Sequence, residues 1–270
     1  MNPLEQTVLT IAGSDSGAGA GIQADLKSFA AHEVYGASVI TAITAQNTTG
    51  VTAIEALSPE IVKAQLDAVF TDLNIVGVKV GMVTDQSIMQ LIADAIQTYQ
   101  PKYVVVDPVM VSTTGHTLLE ADQIEALTTI LLPLATVITP NLQEAEVLLG
   151  YKITSFEDMK VAAKALAEIT GTNVLIKGGH FPFEQNGRKK SIDVLSTGET
   201  FTKDWIETSA THGTGCSLSS AICANLAKEL SLIHAIDGAK YYVHQGIEHA
   251  YQVGHGSSPI HHFYDFWEDN

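Results

Sequence analysis

Apolar β-rich runs that alternate with segments of helical apolar spacing predict an α/β fold with a mainly parallel central sheet. The runs read as purely apolar, as strands covered on both faces do. No linker, repeat or low-complexity stretch breaks the alternation, so residues 1–270 are expected to form a single domain. At 46% hydrophobic over 270 residues, the chain can bury a sizeable core.

The expected elements follow in order. Val8–Ala12 reads as a buried first strand, and Gly13 to Gly21 as a glycine-rich loop. Ile22, Leu26 and Phe29 then fall at helical spacing. Ala37–Thr44 is a second β-rich run. Asn47-Thr48-Thr49-Gly50 lies between apolar flanks within Gln46–Ala56, which indicates a short hairpin or flap. Ser58-Pro59-Glu60 is a helix start: a capping residue, a proline at the first position, then an acid near the positive dipole end. Ile61, Leu66, Val69, Phe70 and Leu73 are expected to form its apolar stripe.

A strand at Ile75–Val80 and a helix from Asp85 to Tyr99 come next. Strand Tyr103–Val106 ends in Asp107-Pro108. Helix Ala121–Leu132 precedes strand Thr136–Thr139, and helices Glu144–Leu149 and Phe156–Thr170 precede strand Asn173–Lys177. Asn186-Gly187-Arg188-Lys189-Lys190 reads as an exposed hairpin loop. Ile192–Leu195 and Thr200–Ile206 pair across Gly198-Glu199. Helices Cys216–Lys228 and His234–Tyr251 close the chain. Ligands of such sheets bind beyond the carboxyl ends of the strands. That rule gathers the Gly13–Gly21 loop, Gly81-Met82, Asp107, Asn141 and Lys177-Gly178-Gly179 at one site.

A formal net charge of −16 argues against broad nucleic-acid binding and against docking on anionic membranes. Arg188 is the only arginine. An anionic ligand must therefore rely on backbone amides, one or two lysines and a metal ion. Cys216 and Cys223 would lie about 10 Å apart along one helix, too far to bridge. That spacing fits a reducing compartment. The N-terminus shows no basic stretch before an apolar core, and no apolar run is long enough to span a membrane. A cytoplasmic location is expected.

Two nucleotide motifs fail. No Gly-Lys pair exists for a P-loop, and Gly17, Gly19 and Gly21 are spaced by two, with Ile22 where a dinucleotide fingerprint needs its last glycine. His212-Gly213-Thr214-Gly215-Cys216 offers another device. Its glycines let the backbone turn sharply, and the following helix aims free N–H groups at the turn. Cys216 would sit where a helix start lowers a thiol pKa, ready to accept a proton from an attacking hydroxyl. The plainer reading is a helix-start turn with a small buried cysteine. Asp107 can hold Mg²⁺ or a catalytic water, or be a turn aspartate. Asn141 and Glu144 can form a helix cap, or Glu144 can join a Mg²⁺ water shell. Lys177 can neutralise phosphate or merely end a strand at the surface. Of the ten histidines, His244 and His249 miss the zinc spacing on a helix, and His261-His262 lack a third ligand nearby.

Six segments occur in order: Ser14 to Asp25, Thr44-Ala45-Gln46-Asn47-Thr48, Asp107-Pro108-Val109-Met110, Thr139-Pro140-Asn141 with Glu144, Lys177-Gly178-Gly179-His180, and Thr211 to Cys216. Together they resemble the hydroxymethylpyrimidine/phosphomethylpyrimidine kinases of thiamine biosynthesis, in the ribokinase-like superfamily. The tail from Gly254 to Phe263 resembles that family's C-terminus. The resemblance implies a three-layer α/β/α fold with a small β flap, and a homodimer. It implies ATP-Mg²⁺ phosphorylation of 4-amino-5-hydroxymethyl-2-methylpyrimidine, and then of its monophosphate.

By match of motif, Gln46 would bond the aminopyrimidine edge, with Gly13, Asp25, Met82 and Val109 around the ring. Asp107 and Glu144 would serve the metal. Asn141, Lys177, Thr211, His212, Gly213, Thr214 and Gly215 would meet ATP. Cys216 would stand where most ribokinase-like enzymes place an aspartate base, with Gly213, Gly215 and Lys177 beside it at the transfer point. Ala18 departs from a usual glycine and stiffens the loop. A related subgroup phosphorylates pyridoxal and carries a lid cysteine shortly after Asp-Pro-Val-Met. Val111 to Gly115 has none, which with Gln46 favours the pyrimidine. Pyridoxal kinase is the alternative activity, and a vitamer-binding protein without catalysis the alternative class. Thr114-Gly115 and the Gln46–Ala56 flap are candidates for closing over the reactants.

Overall fold

The computed structural model describes residues 6–110, 119–179 and 183–267. The expected Thr114-Gly115 lid, the stretch read for a lid cysteine, and His180 lie outside them.

The first half alternates as expected: β1 (Thr7–Asp15), α1 (Gly21–Ala31), β2 (Tyr35–Asn47), β3 (Gly50–Ala56), α2 (Pro59–Asp72), β4 (Ile75–Val80), α3 (Gln86–Tyr99) and β5 (Tyr103–Val106). Then come α4 (Ala121–Ala126), β6 (Val137–Ile138), α5 (Leu142–Leu149), α6 (Phe156–Thr170) and β7 (Asn173–Ile176). The chain ends with β8 (Phe183–Gln185), β9 (Arg188–Leu195), β10 (Thr200–Asp204), α7 (Thr214–Ala227) and α8 (Leu232–Glu248). The ten strands among the described residues share one sheet, ordered β10-β9-β7-β6-β5-β4-β1-β2-β3, with β8 against β9. The six-strand middle from β7 to β2 is parallel, and both margins are antiparallel.

Side chains alternate across the sheet, so each strand feeds two cores. Val104, Val106, Val174 and Ile176 face a core shared with α2, α3 and α6. Val105 and Leu175 face the opposite core, filled from α1, α7 and α8. That is a three-layer α/β/α arrangement.

Four expectations change. The α2 stripe is Val62, Leu66 and Phe70, while Ile61 points to solvent, because the helix docks one residue further round than the apolar spacing suggested. The expected helix Ala121–Leu132 is α-helical only to Ala126. It widens into a π turn over Leu127–Leu131 and tightens into a 3-10 turn at Leu132–Leu134, where Pro133 cannot donate a helical bond. Arg188, Lys189 and Lys190 belong to β9 and leave only Asn186-Gly187 as the turn. The strands are not purely apolar: Thr10, Lys79 and Asp193 are buried within them.

The Gln46–Ala56 flap exists as the β2–β3 hairpin. The tail ties its tip. Ser257 N–H donates to the Thr48 carbonyl at 2.9 Å, and the N–H groups of His255 and Gly256 donate to Thr48 Oγ1.

Candidate functional site

The carboxyl ends of β1, β4, β5, β6 and β7 open on two cavities. The larger, about 650 Å³, lies over β1, β2 and β4 and is lined by Gly13, Gln46, Met82, Val109 and Cys216 among others. The smaller, about 320 Å³, lies between β9–β10 and α8, against Ile206, Thr208, Val243 and Ile247. Lys177, Thr211, Thr214 and Gly215 line both. The start of α7 is therefore where two ligands would meet.

That start is built by close backbone approach. Gly213 caps α7 with φ of 74°, and a Cβ there would lie 1.8 Å from the Gly19 carbonyl oxygen. No side chain fits between the glycine loop and α7. Gly213→Ala is expected to destabilise the protein by about 1–3 kcal/mol from left-handed strain alone. Pushing the loop off the helix should add a raised KM for both substrates, and thermal unfolding with steady-state kinetics checks it.

Asp15 organises the glycine loop from the end of β1. Gly17 N–H donates to Oδ1 at 2.7 Å, and Gly19 and Ala20 N–H donate to Oδ2 at 3.0 and 2.8 Å. His212 Nε2 lies 2.9 Å from the same Oδ2. Burial opposes ionisation of Asp15, but the bonds from His212, Ala20 and Gly17 outweigh it and hold the carboxyl below its ordinary range. His212, expected at ATP, lines the larger cavity, with its ring on Asp15 and Gln46.

Ala18 sits in this loop at φ 59°, a left-handed position where glycine is the unstrained choice. The departure noted in the sequence thus falls at a left-handed position.

At the junction, Lys177 Nζ is 2.6 Å from Asp107 Oδ1 and 4.0 Å from Glu144 Oε2. Thr139 Oγ1 also donates to Asp107. Lys177 is nearly enclosed, which removes the surface strand-end reading. Asn141 and Glu144 form a reciprocal cap on α5, and Glu144 lines the larger cavity as well. Burial, reinforced by the charge of Asp107, pushes the Glu144 carboxyl up to about 7, against the pull of Lys177. For Asp107 burial works the same way, but the ammonium groups of Lys177 and Lys79 overcome it and keep its pKa low.

Two buried carboxylates thus share one close ammonium. That excess of oxygen acceptors fits a hard divalent cation. Among the described residues no group of three or more His, Cys, Asp or Glu side chains is placed to hold a metal. Mg²⁺, which keeps waters and takes its other ligands from phosphates, is the ion such a sparse set suits.

Two expectations fail here. Asp25, expected around the ring, is fully buried beneath the cavity floor, paired with Lys79. A carboxylate on the inner face of α1 finds that ammonium on β4 and does not reach the cavity. The expected lowering of the Cys216 thiol is reversed. Although the side chain is only half-buried and borders the larger cavity, desolvation pushes it up to about 11, and the Lys79 charge and the Gly21 N–H only partly offset that.

Sequence reading also passed over Lys79, and the buried pair Lys240–Asp193, 2.8 Å apart beside the smaller cavity. Both carried a signal: a charged residue inside an apolar run requires a buried partner.

The sequence profile of the family described as phosphomethylpyrimidine kinase matches residues 15–261. The chain belongs to that family. It is 50% identical to a hydroxymethylpyrimidine/phosphomethylpyrimidine kinase of Rhizobium meliloti, over 97% of this chain and 98% of the relative. A phosphomethylpyrimidine kinase structure from Clostridium difficile is 45% identical, with a TM-score of 0.76, covering 90% of this chain and 99% of that one. An ADP complex of a Bacillus subtilis pyridoxal kinase superposes with a TM-score of 0.87 at 36% identity, covering 96% and 97%. The ribokinase-like fold and the kinase class follow.

Proposed function

We propose that this kinase transfers the γ-phosphoryl group of ATP to the hydroxymethyl group of 4-amino-5-hydroxymethyl-2-methylpyrimidine, and then phosphorylates the monophosphate to the diphosphate. The observation that carries the reading is the meeting of two cavities at Lys177 and Gly215, beside Asp107 and Glu144. The larger cavity takes the pyrimidine, with Gln46, Gly13, Met82 and Val109 at its walls. The smaller takes the nucleotide, against Lys177, Thr214 and Gly215.

Phosphoryl transfer needs positioning and charge stabilisation more than covalent chemistry. Lys177 and the N–H groups of Gly215 and Cys216 would face the transferring phosphate. Asp107 and Glu144 would hold Mg²⁺, which when bound would supply charge neutralisation of the phosphates. Asn141 fixes Glu144 by the shared cap. Cys216 stands at the wall that the alcohol must approach.

We also propose that residues 1–270 act as one kinase domain, as a homodimer. Two free cysteines support a reducing, cytoplasmic setting.

A substrate panel with ATP-Mg²⁺ tests the reading: the pyrimidine alcohol, its monophosphate and pyridoxal. ADP release with the first two, at kcat/KM at least about tenfold above pyridoxal, is expected. Pyridoxal as the preferred alcohol would sink the assignment. Asp107→Ala should lower kcat by about 10²-fold or more, as loss of charge stabilisation does.

A further inference from the structure

The neighbours of Gln46 determine which way round its side-chain amide lies. Its main chain is pinned: Ser16 Oγ donates to the Gln46 carbonyl at 2.7 Å and accepts from its N–H at 2.8 Å. One end of the amide lies 3.1 Å from Thr44 Oγ1, and the other 3.3 Å from His212 Nε2. Oxygen and nitrogen of an amide are told apart only by their partners.

His212 decides it. Its Nε2 sits 2.9 Å from Asp15 Oδ2. A carboxylate that already takes N–H bonds from Gly19 and Ala20 on that oxygen can only accept, so Nε2 carries a proton. A protonated Nε2 cannot accept from an amide NH₂. It can share its proton with an amide oxygen. The Thr44 end agrees: the hydroxyl donates to the Ser14 carbonyl at 3.0 Å, which leaves its lone pairs free to accept from an amide N–H. With Nε2 toward His212 and Oε1 toward Thr44, two N–H groups would face each other. The reverse placement satisfies both ends.

We infer that His212, backed by Asp15, and Thr44 are positioning residues that hold Gln46 with Oε1 toward His212 and Nε2 toward Thr44, and thereby set the orientation of the substrate ring. The inference rests on the aminopyrimidine reading above. A 4-aminopyrimidine presents, in order along one edge, a ring nitrogen that accepts, an amino group that donates, and the 5-hydroxymethyl group. Paired with the amide in this orientation, the ring nitrogen faces the Thr44 side and the amino group the His212 side. The hydroxymethyl group then lies beyond the amino group, on the side where His212 leads into Gly213 and α7. The opposite amide orientation would turn the alcohol away from the α7 start. Specificity for the amino group and delivery of the alcohol thus depend on one imidazole N–H.

The test compares wild type with His212→Leu, which removes the donor, and His212→Gln, which can restore an N–H near the Nε2 position. In His212→Leu, kcat for the pyrimidine alcohol should fall by about 10²-fold, the size of a misplaced reacting group, because the ring still binds but the wrong way round. The KM for ATP should stay within about threefold, as expected for a change confined to the alcohol side. His212→Gln should recover most of the loss. If His212→Leu does not fold by circular dichroism, Thr44→Val removes the other partner and should show the same loss in kcat. Unchanged kcat, a parallel rise in the KM for ATP, or no recovery by glutamine would overturn the inference. Absence of turnover of the pyrimidine alcohol by wild type would instead overturn the substrate reading on which it rests.

Discussion

Lys79→Met should destabilise the protein by about 3–5 kcal/mol, the cost of leaving one charge of a buried pair alone. Lys79 and Asp25 are both fully enclosed. The ammonium lies 2.9 and 2.8 Å from the two carboxylate oxygens. Thr10 Oγ1 donates to Oδ2 at 2.6 Å, and Ser220 Oγ donates to Oδ1 at 2.7 Å. The pair therefore ties together β1, β4, α1 and α7, the four elements under the larger cavity. Burial works against the Lys79 charge, but Asp25 above all, with Asp107, holds its pKa above the ordinary value. The ammonium is present at any working pH.

Urea unfolding at neutral pH measures the loss. The double variant Lys79→Met with Asp25→Leu should regain most of it, because both charges leave together. A loss below about 1 kcal/mol in the single variant would mean that the carboxylate takes up a proton at little cost, and that the pair does not hold the floor.

The same pair marks the limit of what the sequence displayed. Periodicity and turn residues placed the order of strands and helices, because both depend on neighbours in the chain. The α/β rule gathered Asp107, Asn141 and Lys177 at the carboxyl ends of the strands, and they stand together there, with Glu144 joining them through its cap with Asn141. Asp25 did not follow. Its motif position suggested the cavity, yet only the three-dimensional register of α1 against β4 turns it inward to Lys79. The offset of the α2 stripe has the same origin, since a helix's docking angle is set by the partner it meets. The direction of the Cys216 shift was likewise invisible. A helix start and desolvation act oppositely on a thiol, and which prevails depends on how the folded chain packs around it.

The raised thiol pKa has a kinetic consequence at Cys216. With a thiol pKa of about 11, the thiolate fraction at pH 7 is on the order of 10⁻⁴. If the reaction required a resting thiolate, kcat would climb about tenfold per pH unit between pH 7 and pH 9. Phosphoryl transfer through a loose transition state asks little of a base, because the alcohol gives up its proton late. The expected profile is flat across that range, and Cys216→Ala should cost less than the roughly 10²–10⁴-fold carried by a true general base. A tenfold-per-unit rise, abolished in Cys216→Ala, would restore the cysteine as the base.

Stability offers an independent readout with a definite sign. The native thiol binds its proton more tightly than the unfolded one, whose pKa is about 8.5. Between about 8.5 and the folded value of about 11 the native state therefore holds more protons, and stability falls as pH rises. The contribution is fully present below that window and lost above it. Cys216→Ala should flatten this part of the stability profile relative to wild type, and an identical slope in the two proteins would show that the thiol is not held protonated by the fold.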